Sequence, residues 1–266
     1  MVHALIFDSG VGGLSVAAQI RKRLPALAMT YAADDAFRPY GNKSEAQLKA
    51  RLPRLLWELT EASHADIAVI ACNTASTTAL AEIRAAVDIP VIGVVPAIKP
   101  AAAISKTKTI AVLGTPGTVQ RQYVDGLIED FASDCHVLLQ GSVNLVDMAE
   151  AKLEGRPVDL RQIKAELAPL FSGRRGADID AVVLACTHFP LLREELKASV
   201  TQSVQWIDSG EAIAKRTADV VARLDKIRGA NYGPDTALLV GRQTSPARQK
   251  TFADFGFTRV VPLMPA

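Results

Sequence analysis

The chain has 266 residues, 49% of them hydrophobic, which is enough for one large core or two smaller ones of roughly 100–150 residues each. Its 30 lysines and arginines stand against 28 acids for a formal net charge of +2, which excludes a field strong enough to argue for nucleic acid or a membrane surface. No run reaches the roughly 18 uninterrupted apolar residues of a membrane helix. The start MVHALIFDSG lacks the basic and apolar regions of an export signal, and the three cysteines Cys72, Cys135 and Cys186 have no paired spacing, so a reducing cytoplasm is the expected location. The expected partner is a small molecule, to be read from a site.

In chain order, ALIF (4–7) reads as a strand followed by a helix over 13–24. MTYAA (29–33) precedes a helix over 44–63, and IAVIA (67–71) one over 75–87. Further strands are expected at PVIGVV (90–95), TIAVLG (109–114), CHVLLQ (135–140), AVVLAC (181–186), VQWID (204–208), TALLVG (236–241) and RVVPL (259–263). Short apolar runs alternating with amphipathic stretches predict an α/β fold with parallel sheets, whose functional residues lie at the carboxyl ends of strands. Cys135, Trp57 and Trp206 carry no motif and read as packing residues.

One internal comparison is informative. DIAVIAC (66–72) lies over DAVVLAC (180–186) without a gap, each a strand that delivers a cysteine at its end. A shorter echo sets LIFDSGVGG (5–13) beside VLGTPGTV (112–119), which together suggest a duplicated half. A single free cysteine is more often a small buried hydrophobe than a reactive group. Two in matching contexts point elsewhere, because thiols near helix N-termini or an imidazolium serve as proton donors and acceptors close to neutrality. Cys72 is followed by Asn73 and Thr74, and Cys186 by Thr187 and His188, types that cap helices and aim N–H groups at a carboxylate. If the halves face each other across a cleft, one thiolate can remove a proton from a carbon centre while the opposite thiol returns one.

The segments FDSGVGGLSV (7–16), PYGNKS (39–44), ACNTAS (71–76), LVDMAEAKLEG (145–155) and ACTHFP (185–190) are similar, in order and along nearly the whole chain, to the aspartate/glutamate racemase family. DSGVGG at the end of the first strand favours its glutamate branch. The resemblance implies two similar doubly wound α/β lobes related by a pseudo-twofold, with the active site in the cleft between them. The chain would form a first lobe from 1–97 and 208–266 and a second from 98–207. It implies racemisation of glutamate without pyridoxal phosphate or metal, supplying D-glutamate for the cell wall, and it leaves a homodimer open. Cys72 would act on D-glutamate and Cys186 on L-glutamate. Asp8 and Ser9, Tyr40 and Gly41, Asn73 and Thr74, and Thr187 and His188 would line the substrate. Asp8 would hold the substrate ammonium or orient the proton on Cys72, and His188 would support Cys186 or a carboxylate. Glu150 matches a family carboxylate near the second cysteine, although Asp147 is close enough to compete. The family commonly has arginine then phenylalanine before PYG, where Phe37 and Arg38 stand here in the opposite order.

Other readings fit the residues less well. A dinucleotide loop at Gly10-Val-Gly-Gly, with Asp35 about 20 residues on, would want a small residue where Ser15 stands and would set Asp8 against a pyrophosphate. A two-lobed solute-binding protein would be expected to carry an export signal. A cysteine hydrolase pairing Cys186 with His188 would need a nucleophile and base only two residues apart on one turn.

Overall fold

The computed structural model of the chain describes residues 2–224, 233–241 and 244–264. Strand β1 (His3–Asp8) is buried along its whole length, as a strand covered on both faces must be. It is followed by α1 (Leu14–Arg23), β2 (Ala28–Ala33), α2 (Glu45–Ser63), β3 (Ile67–Ile70), α3 (Asn73–Ala86) and β4 (Val91–Gly93). A second run comprises α4 (Ile98–Ile104), β5 (Thr109–Gly114), α5 (Pro116–Val119), α6 (Gln122–Phe131), β6 (His136–Gly141), α7 (Asn144–Leu153), α8 (Leu160–Phe171), β7 (Ala181–Ala185), α9 (Arg193–Ala198) and β8 (Gln205–Ile207). Then come α10 (Gly210–Val221), β9 (Thr236–Val240), α11 (Pro246–Asp254) and β10 (Arg259–Leu263).

The chain divides into two compact units, Met1–Val94 with Gly210–Ala266, and Val95–Ser209. The first holds a six-stranded sheet in the order β10-β9-β2-β1-β3-β4 and the second a four-stranded sheet in the order β6-β5-β7-β8. Every pairing is parallel. The path β2-β1-β3-β4 in one unit is repeated as β6-β5-β7-β8 in the other, so the internal echo in the sequence corresponds to a repeated topology. In each, strand order reverses between the first and third strands of the motif, the place where open α/β sheets bind ligands.

Helix α2 shows how the layers are held. Ser44 and Gln47 form a reciprocal capping box, Gln47 N–H donating to Ser44 Oγ at 3.2 Å and Ser44 N–H to Gln47 Oε1 at 3.0 Å. Leu48, Leu52, Leu55, Leu56 and Leu59 recur at helical spacing and bury one stripe against β1 and β3. Trp57 falls on the other side and is 51% exposed, so the expectation that it packs in the core is wrong. Trp206 does pack, among the apolar residues of α7, α8 and β7. No described helix is long and apolar enough to cross a membrane.

Candidate active site

In the first unit, the β1/β3 register pairs Phe7 with Ile70, which brings Ser9 level with Cys72 just past the strand ends. Cys72 Sγ lies 3.8 Å from Ser9 Oγ. The same sulfur caps α3, accepting the Ala75 N–H at 3.5 Å. Asn73 and Thr74 open that helix and are buried. The Asn73 Oδ1 atom is buried with no hydrogen-bond partner among the described residues, an acceptor left for a donor such as an ammonium group.

Asp8 holds the turn that carries Ser9. Its Oδ1 accepts the Ser9 N–H at 2.7 Å, its Oδ2 accepts the Gly13 N–H, and the Tyr31 hydroxyl donates to the Gly10 carbonyl at 2.7 Å. Gly13 is required by close approach: a Cβ there would lie 2.8 Å from both Asp8 Cβ and Tyr31 Oη.

Tyr40 and Gly41 belong to a 3-10 turn, Tyr40–Asn42, in the same unit. The Tyr40 ring is buried against Phe7 and Phe37, and its hydroxyl donates to Asp34 Oδ2 at 2.6 Å. Burial, together with the neighbouring Asp34 carboxylate, holds this phenol well above its ordinary pKa. The Phe37-Arg38 order has a structural counterpart. Phe37 meets Tyr40 edge-on at 6.2 Å beneath the Arg51 guanidinium, and Arg38 reaches Asp35 at 3.3 Å.

In the second unit Cys186 follows β7, and Thr187 and His188 follow it, all three buried. Nδ1 of His188 lies 3.8 Å from Cys186 Sγ, and Nε2 lies 3.1 Å from Glu150 Oε1 on α7. Burial alone disfavours the imidazolium, but the Cys186 sulfur and the Glu150 carboxylate outweigh it and push His188 up to about 10. Glu150, rather than Asp147, is the carboxylate that meets His188. Asp147 is exposed and lines a cavity of about 700 Å³ with Met148, Arg156 and Gln162.

Two residues not singled out in the sequence join this end. Gly114 pairs with Ala185, so Thr115 stands beside Cys186 as Ser9 stands beside Cys72, and its hydroxyl lies 3.0 Å from that of Thr118. The echo between residues 5–13 and 112–119 contained that signal. Cys135 is half-buried, packed against the apolar cluster of β5 and β7 as expected of a packing residue, with its sulfur 3.4 Å from Asp134 Oδ1. Burial and that carboxylate push its thiol up. Among the described residues, no group of three or more His, Cys, Asp or Glu side chains is placed to hold a metal ion.

Fold and site together define an α/β protein that repeats one strand path twice and ends the same strand of each repeat in a buried thiol. A family model described as Asp/Glu/Hydantoin racemase matches residues 13–217. A glutamate racemase of Sphingopyxis alaskensis is 53% identical over 214 residues, covering 80% of each chain. One of Shewanella loihica is 44% identical over 255 residues, covering 96% of this chain and 93% of its own. Among solved structures, Escherichia coli glutamate racemase in complex with L-glutamate and the activator UDP-MurNAc-ala matches with a TM-score of 0.92 and 40% identity, over 100% of this chain and 99% of that one. The chain belongs to the Asp/Glu/Hydantoin racemase family. It is an isomerase of the glutamate racemase kind.

Proposed function

We propose that this protein interconverts L- and D-glutamate by a cofactor-independent two-base reaction between Cys72 and Cys186, acting in the cytoplasm to supply D-glutamate for peptidoglycan synthesis and cell shape. The observation that carries the reading is the matched placement of the two thiols, each just past the third strand of the same repeated path. The names and bound glutamate of the relatives support the substrate.

The α-hydrogen of an amino acid is a very weak acid, so the site must supply a desolvated base and donors for charge developing on the α-carboxylate. Cys186 serves as the base for L-glutamate. The His188 imidazolium, held by Glu150, donates through Nδ1 to that sulfur. Cys72, then a thiol, returns a proton to the other face of the carbon, assisted by Ser9. In the D-to-L direction the roles exchange, and the α3 N-terminus favours negative charge on Cys72. Asn73 Oδ1 accepts from the substrate ammonium, and Thr74, Thr187 and the main chain near Gly41 donate to its carboxylates. Asp8 acts by holding the Ser9 turn in place. Each turnover leaves the two sulfurs in exchanged protonation states, so before the next turnover in the same direction Cys186 must release a proton to solvent and Cys72 must take one up.

Incubation of the purified protein with L-glutamate in deuterated water tests this. The account expects optical rotation to decay to zero while D-glutamate acquires α-deuterium, undiminished by chelators or carbonyl reagents. Activity restored only by pyridoxal phosphate or a divalent ion, or equal rates on aspartate, would contradict it.

A further inference from the structure

Asp34 follows β2 directly. The β1/β2 register pairs Asp8 with Ala33, and the Asp34 N–H donates to the Asp8 carbonyl at 3.0 Å, so its backbone is fixed to the strand end that carries Ser9. Its side chain is fully buried and richly partnered. Oδ2 accepts the Tyr40 hydroxyl at 2.6 Å and Arg51 Nε at 2.6 Å, and Oδ1 accepts Arg51 Nη2 at 2.7 Å. A buried carboxylate persists where its charge is paired and its lone pairs are met, and the planar Arg51 fork from α2 does both. That fork stacks on the Phe37 ring at 4.9 Å, which also packs Tyr40.

The phenol therefore has one direction open to it. Because the Asp34 carboxylate is ion-paired with Arg51 and accepts, the Tyr40 hydroxyl donates its hydrogen bond to Asp34. A ring pinned at its oxygen and packed between Phe7 and Phe37 is not available to turn toward a ligand. What the segment can offer is the main chain of the Tyr40–Asn42 turn.

We infer that Asp34, clamped by Arg51, is a positioning residue for substrate binding: through Tyr40 it holds the Tyr40–Asn42 turn so that its backbone meets the substrate. The inference rests on the proposed glutamate chemistry and deepens it, making Tyr40 an anchor of the turn and not a side-chain contact. An ion pair of this kind is a weak source of stability compared with apolar packing, but it fixes direction, which a binding turn needs.

Steady-state racemisation by Asp34→Asn, Tyr40→Phe, the double variant and Arg51→Lys tests it. Asp34→Asn is expected to raise KM about tenfold with kcat within about threefold, and Tyr40→Phe to raise KM comparably. The double variant should be no worse than the worse single one, since both changes break one link. Arg51→Lys keeps the charge but loses the fork and should raise KM by about threefold. If Asp34→Asn does not fold, the same cycle run with Arg51→Lys and Tyr40→Phe decides. Unchanged KM in the variants, loss in kcat alone, or effects that multiply would overturn the inference while leaving the proposed function intact. Wild-type protein that does not turn over glutamate would overturn both.

Discussion

His188 faces a sulfur on one side and a carboxylate on the other, which makes it the pivot of the second unit's part in the proposed reaction. Its folded pKa of about 10 lies above the ordinary 6.5, so its pairing adds stability that is complete below about 6.5 and lost as pH rises through about 10. Urea unfolding of wild type and His188→Gln should therefore differ most near pH 6 and converge by pH 10; a gap that widens with pH would contradict this assignment. Glu150→Gln removes the charged acceptor and should lower kcat/KM roughly tenfold to a hundredfold. The loss must be equal in both directions, because the equilibrium constant between mirror-image forms is one. Sequence alone left Glu150 and Asp147 unresolved, since residues three apart share one side of a helix. The choice between them comes from where His188 lies, which is a tertiary fact. Asn73 was legible as a polar group after a strand, but its unmet oxygen was not.

At the scale of elements, Leu52 stands in the middle of the buried stripe of α2 with no exposure. Leu52→Ala should cost about 2–5 kcal/mol in unfolding free energy, read from the denaturant midpoint, against about 1 kcal/mol for removing the Ser44 cap. Equal small effects would mean that α2 is not held by that stripe. All ten strands expected from apolar runs are present, and the central ones, β1, β3, β5 and β7, are buried throughout and written as nearly uninterrupted hydrophobic segments. Trp57 was misjudged from residue type, although the leucine spacing already placed it on the far side of α2. The 34–42 segment was the least legible. PYG identifies it, but the bonds from Asp34 to Arg51, and from Asp35 to Arg248, join residues 17 and 213 positions apart that no local pattern connects.

For the whole molecule, the decisive feature is repetition. One parallel strand path occurs twice, and in both copies the third strand ends in a cysteine whose neighbour across the ladder is a hydroxyl residue, Ser9 or Thr115. The matched cysteine segments make this visible in the sequence, whereas Thr115 is only hinted at by the echo between residues 5–13 and 112–119 and takes its place beside Cys186 from strand register. In the proposed reaction, duplication gives each face of a tetrahedral carbon its own base, and that division of labour can be measured directly. A glutamate bearing a β-chloro group needs only its α-proton removed for chloride to leave, giving an enamine that hydrolyses to 2-oxoglutarate, so no proton is returned by the second thiol. Serine at either position keeps the shape but takes the group's pKa out of useful range, and both Cys72→Ser and Cys186→Ser should lose racemisation by about 10²–10⁴ or more. The account predicts that Cys72→Ser still forms 2-oxoglutarate from the L-analogue and Cys186→Ser from the D-analogue. Identical enantiomer preference in the two variants, or loss of both enantiomers in one variant and neither in the other, would contradict it.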